Sequence, residues 1–149
     1  MDINTSLITA TKCPECGAVS NLSCWEMLGV ICSWEWADRD LQKEHFLIVA
    51  SYNLQHPAKF VDEAIKGLQI ALIDYLDHGI SPEEIRRRTS RAYEGNKKVL
   101  KNDQNVTLRL RNWPVTIDNI YANGDLIDAA TRVKKWGQSI KEELLKDAQ

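Results

Sequence analysis

Two thiols set two residues apart, in Cys13-Pro14-Glu15-Cys16-Gly17, constrain this chain more than any other feature. The intervening turn points both sulfurs inward toward one soft divalent ion, and the glycine permits the tight backbone that follows. Further donors stand at Cys24 and in the turn Gln55-His56-Pro57. In a reducing compartment four cysteines are thiols or metal ligands more often than disulfides, so the expected cofactor is Zn2+. No run approaches the roughly 18 apolar residues of a membrane helix. Met1 to Thr11 lacks a basic segment ahead of an apolar one, and both observations lead us to expect a cytoplasmic protein with no membrane partner.

A length of 149 residues suits one domain with a core large enough to dispense with disulfides. The net charge of −2 exerts no pull toward nucleic acid or anionic lipid. One basic run, Arg86-Arg87-Arg88 with Arg91, Lys97, Lys98 and Lys101, is interrupted by Glu83, Glu84 and Glu94, and reads as a solvated helix face.

Residues 1–23 show no sustained periodicity and are expected to form an irregular, zinc-knuckle-like arm. From there on, helical stripes dominate. Trp25, Leu28, Ile31, Cys32 and Trp36 mark a helix over 24–36 behind Ser23 as N-cap. Leu41, His45, Ile48, Val49 and Tyr52 mark a second over about 40–55, closed by Pro57. The short connection implies an antiparallel hairpin. A third helix spans Val61 to Leu76 ahead of Gly79, a fourth 82–93 behind Ser81-Pro82, and a last one runs from Asp125 to about Leu145. Val106 to Arg111 alternates as a strand would, with extended coil equally compatible, and Thr116 caps a short turn through Ile120. The expected fold class is all-α: a single-domain helical bundle (24–149) carrying the metal-binding arm (1–23). Leu28, Ile31, Ile48, Val49, Leu68, Leu72, Ile127 and Val133 should fill its core. Trp25, Trp36 and Trp136 fall on core stripes, whereas Trp34 falls less cleanly on its stripe and suggests a contact surface or pocket wall.

The residues Cys13-Pro14-Glu15-Cys16-Gly17, Cys24-Trp25, Glu35, the block from His45 to Pro57, Thr116-Ile117-Asp118-Asn119-Ile120 and Trp136-Gly137-Gln138-Ser139-Ile140 occur in an order that resembles a family of short bacterial proteins of unknown function. The family pattern reads CPxCG, CW, H-x-L-x-V-x-x-Y-x-x-QHP, T-[VI]-x-D-[VI] and a late W-A-x-S-[VI]. Tyr52-x-x-Gln55-His56-Pro57 is its most specific element. The resemblance implies a fold and a set of residues of interest; it implies no reaction.

Tetrahedral zinc needs four donors at one point. In an antiparallel hairpin turning near Ala37 to Arg39, Cys24 lies opposite Tyr52 to His56, and Cys32 opposite Glu44 to His45. His45 and His56 share a helix face but stand roughly 16 Å apart, too far to share an ion. Cys13, Cys16, Cys24 and His56 are therefore the expected ligands, with His45 as the reserve fourth. The competing reading, in which Cys24 is merely buried and His56 caps a helix, stays open. Cys32 and His78 receive no role. A second constellation, Glu35, His45 and Tyr52, has the make-up of an oriented general base, and His45 is expected to be buried with Glu35 as its partner. Two functions follow: a binding or accessory module with a structural zinc site, its partner a protein or small molecule, or a hydrolase- or transferase-like enzyme working through His45, Glu35 and Tyr52.

Overall fold

The computed structural model describes residues 9–92, 99–101 and 106–148. The first eight residues of the expected arm, Lys97 and Lys98, and the Arg91 side chain lie outside them. The chain is mostly helical, with seven α-helices and one two-stranded sheet among the described residues.

Strand β1 (Thr11–Lys12) pairs antiparallel with β2 (Val19–Ser20), Thr11 opposite Ser20 and Lys12 opposite Val19. The expected irregular arm is thus, over 11–20, an ordered hairpin whose tip is the cysteine motif. Cys13 N–H donates to Ala18 O at 2.8 Å, Gly17 N–H donates to Cys13 O at 3.0 Å, and Gly17 adopts φ +84°, which a side chain would resist.

Helix α1 (Cys24–Trp34) starts in a capping box: Ser23 Oγ accepts from Glu26 N–H at 3.1 Å, and the Glu26 carboxylate accepts from Ser23 N–H at 3.3 Å. It buries Cys24, Met27, Ile31 and Trp34. Trp25 and Trp36 are 71% and 94% exposed, contrary to the sequence expectation, whereas Trp34 stacks on Tyr121 with ring centroids 6.3 Å apart. The helix is apolar on two adjacent stripes, and spacing alone does not choose which one faces inward.

The helix expected over 40–55 is two helices, α2 (Arg39–Lys43) and α3 (His45–Gln55). They meet at Glu44, whose φ of −97° and ψ of 15° leave the helical region and whose carboxylate accepts from Tyr75 O–H at 2.9 Å. The apolar stripe Leu41–Ile48 runs through the break, so periodicity did not reveal it. Helix α4 (Asp62–His78) ends on Gly79 in the left-handed region at φ 63°, and α5 (Pro82–Ala92) follows. Residues 106–111 belong to no strand or helix, and Arg111 N–H donates to Glu15 O at 3.0 Å.

Helix α6 (Ile117–Tyr121) is capped by Thr116, with Asn119 Oδ1 accepting from Thr116 N–H at 2.9 Å. Helix α7 (Ala129–Asp147) begins four residues later than expected. Left-handed residues Ala122, Asn123 and Asp128 interpose a turn, and the Arg132 guanidinium holds the carbonyls of Ile120, Asp125 and Ile127. Ile127 is consequently 67% exposed, a correction to the expected core. Ile31, Ile48, Leu72 and Val133 are fully buried, while Leu28 and Leu68 are half-buried against the same cluster. Across the core, buried Gln55 donates to Val115 O at 2.8 Å and accepts from the Trp136 indole N–H at 3.0 Å, tying α3 to α7 and to the approach to α6.

Candidate metal centre

Cys24 opens α1 and His56 follows the last residue of α3, so antiparallel packing of these helices brings a thiol beside an imidazole. The hairpin tip lies against the same end: Glu15 carboxylate accepts from Ala58 N–H at 3.0 Å, just past His56. As a result one ligand atom from each of Cys13, Cys16, Cys24 and His56 lies within 4.8 Å of all the others. Cys16 Sγ and Cys24 Sγ are 3.7 Å apart, and Cys13 Sγ is 3.7 Å from His56 Nε2. Zinc–sulfur bonds of about 2.3 Å and zinc–nitrogen bonds of about 2.0–2.1 Å give tetrahedral edges of about 3.8 and 3.5 Å, so these spacings suit a metal ion.

The surroundings of the cluster are compatible with such an ion. Backbone N–H groups of Glu15 and Ala18 point at the sulfurs of Cys13 and Cys16, at 3.5 and 3.4 Å, and favour thiolate charge. His56 Nδ1 lies 2.7 Å from the Tyr52 carbonyl, which accepts only from an N–H, so in the neutral imidazole the proton sits on Nδ1 and Nε2 is the nitrogen that can offer a lone pair to an ion. The Tyr52 ring stacks on His56 at 4.2 Å, and Trp25 meets Tyr52 edge-on at 6.2 Å. Cys16 and Cys24 are buried, Cys13 and His56 half-buried.

Without an ion, Cys16, Cys24 and His56 perturb one another's protonation. The hydrogen bond from Cys24 lowers the Cys16 thiol to about 4, against burial and with help from His56. That same bond, with burial and the neighbouring sulfurs, pushes Cys24 strongly up. Burial opposes charge on His56, yet the contacts with Cys16 and the Tyr52 carbonyl raise it to about 9. Burial and the surrounding sulfurs raise the Tyr52 phenol to about 12. The metal-free cluster is therefore a Cys16 thiolate beside a protonated imidazole.

At the opposite end of α1 and α3 the expected Glu35–His45 pair is present, His45 Nδ1 lying 2.8 Å from Glu35 Oε2. His45 is not buried, however: it is the first residue of α3 and its side chain is 56% exposed, against 13% for Glu35. Tyr52 does not join them, since its ring belongs to the His56 stack. Cys32, given no role from sequence, does: Cys32, Glu35 and His45 offer ligand atoms within 4.8 Å of one another. The hairpin register that paired Glu35 with His45 already placed Cys32 near Glu44 and His45. Burial, reinforced by Glu35, raises the Cys32 thiol to about 11. His78 ends α4 on the surface, and the reserve ligand His45 sits at the far end from the four-residue cluster. A cavity of about 610 Å³ beside Leu22, Asp118 and Tyr121, and one of about 510 Å³ beside Phe60, Leu68 and Ile85, are lined by neither Glu35, His45 nor Tyr52.

Fold and site together define a mostly helical protein in which three cysteines and a histidine can hold a metal ion. The chain belongs to the family of unknown function DUF5946, whose sequence profile matches residues 11–144, from β1 into α7 and across all four of those residues. No curated protein and no solved structure matches it. No helix among the described residues is long and apolar enough to cross a membrane.

Proposed function

We propose that Cys13, Cys16, Cys24 and His56 hold one structural zinc ion, and that the protein is a cytoplasmic binding or accessory module whose partner is a protein or a small molecule. One observation carries the reading: four donors from three chain segments lie within 4.8 Å of one another, with the histidine tautomer selected by Tyr52. Four protein ligands close the coordination sphere, the arrangement of a structural site. When bound, the ion would neutralise the thiolates and cross-link the segments. The chain's own residues do the rest: Gly17 turns the knuckle, Glu15 docks it on Ala58, and Tyr52 orients His56. In this reading the helices form one bundle, and the hairpin is an arm fastened to it by metal. A reducing compartment suits four cysteines with no disulfide.

The test is metal analysis of protein purified under reducing conditions. About one equivalent of zinc per chain is expected. Replacing Cys13 and Cys16 together by serine should release it and accelerate hydrogen exchange first in residues 11–20. Metal-free protein whose hairpin stays fully protected would overturn the proposal.

A further inference from the structure

We propose that Cys32, Glu35 and His45 form a second divalent-metal site, open to solvent, at the other end of the α1–α3 pair. Its ion is of the borderline class, zinc or cobalt, because one thiolate, one carboxylate and one imidazole make a mixed sulfur, oxygen and nitrogen set; magnesium and calcium prefer oxygen alone.

The placement follows from the backbone. Cys32 and Glu35 stand three residues apart where α1 ends, one turn from each other on the same side. Helix α3 begins at His45, and its antiparallel packing sets the imidazole opposite that turn. The three ligand atoms consequently lie within 4.8 Å of one another. Exposure differs across the set: Cys32 is half-buried, Glu35 is 13% exposed and His45 56% exposed. Thiol and carboxylate form the floor while the imidazole stands at the rim, so the fourth coordination position faces water. Three protein ligands and one solvent position is the arrangement in which zinc binds and polarises a water molecule or an outside donor.

A plain hydrogen bond between Glu35 and His45 accounts for their 2.8 Å contact. The thiol of Cys32, one helical turn before Glu35, adds a third donor at the same point. An ion would widen that contact to about 3.3 Å, the tetrahedral edge for zinc–nitrogen and zinc–oxygen bonds near 2.0–2.1 Å, which a rim histidine can do by a small rotation. The site is independent of the cysteine-rich one, since eleven residues of helix hold His45 and His56 roughly 16 Å apart.

The experiment titrates cobalt(II) into protein whose metal content has been measured beforehand. With zinc already in the cysteine-rich site, one further equivalent of cobalt should bind and produce a thiolate-to-cobalt charge-transfer band. If zinc is absent, one cobalt equivalent should bind where the cysteine-rich site takes no metal and two where it was merely vacant, so failure of the structural-zinc reading remains distinguishable. In either case Cys32→Ser should remove one equivalent and its share of the band. His45→Gln, a surface change that spares the fold, should weaken the same equivalent roughly tenfold or more, since even outer-shell changes around a metal cost 10–100-fold. The zinc of the cysteine-rich site and the helical circular dichroism spectrum should stay unchanged in both variants. Absence of the additional equivalent, or an equivalent that survives both substitutions, would overturn the proposal.

Discussion

The carbonyl of Tyr52 accepts a hydrogen bond from Nδ1 of His56 at 2.7 Å, one helical turn back along the chain. That bond commits Nε2 to the cysteine cluster, and it makes metal binding a proton-exchange reaction. In metal-free protein His56 is raised to about 9 and Cys24 is raised further, whereas Cys16 is lowered to about 4. Near pH 7, then, Cys16 is already ionised, while His56 and Cys24 each hold a proton that an ion must expel. Zinc affinity should rise with pH by about two log units per pH unit or more, and the slope should fall by about one above pH 9, once His56 is neutral. Calorimetry in buffers of different ionisation enthalpy should count at least two protons released per ion at pH 7, and a count near zero would contradict the assignment.

Gln55 is the only bridge we find, among the described residues, between the Trp136 indole and the Val115 carbonyl. Gln55→Leu keeps the volume but strands both partners. A buried group left unpaired costs about 1–3 kcal/mol, so a comparable or larger loss should appear in urea unfolding followed by tryptophan fluorescence. Unchanged stability would mean that the two partners are hydrated.

Gly137 faces Leu47 so closely that an added Cβ would lie 2.5 Å from Leu47 Cδ1 and 3.0 Å from its Cγ. Leu47 is fully buried and has little room to move. Gly137→Ala should therefore destabilise the protein: overpacking costs about 1–3 kcal/mol, against about 1 kcal/mol gained in helix propensity. A rise in melting temperature would show that Leu47 repacks freely.

Ser51 carries the opposite expectation. Its hydroxyl is buried in α3 with no hydrogen-bond partner among the described residues. Ser51→Ala removes an unpaid desolvation and improves helix propensity, so stability should stay level or increase by up to about 1 kcal/mol. A loss of that size in chemical denaturation would reveal a partner for the hydroxyl.

Helix positions and the candidate ligands were legible in the sequence because they depend on local rules. Ser23 with Glu26 starts α1, Gly79 stops α4, and the Cys13–Gly17 turn aims two sulfurs at one point through its own backbone. The antiparallel register of two helices joined by a short link then placed His56 beside Cys24, and Glu35 beside His45. Tertiary contacts decided what periodicity leaves open. Leu41 and Ile48 share a stripe whether or not the helix breaks between them, and only the bond from Tyr75 to Glu44 shows where it does. Helix α1 offers two neighbouring apolar stripes, and packing against α6 turned Trp34 inward, leaving Trp25 and Trp36 in water. Arg132 drew three carbonyls into a turn that spacing had assigned to helix, which put Ile127 on the surface. The break at Glu44 also made His45 the first residue of its helix, exposed at the rim of the Cys32–Glu35 cluster instead of buried at mid-stripe. In each case the outcome depends on a partner beyond the next helical turn, and local propensity carries no information about such a partner.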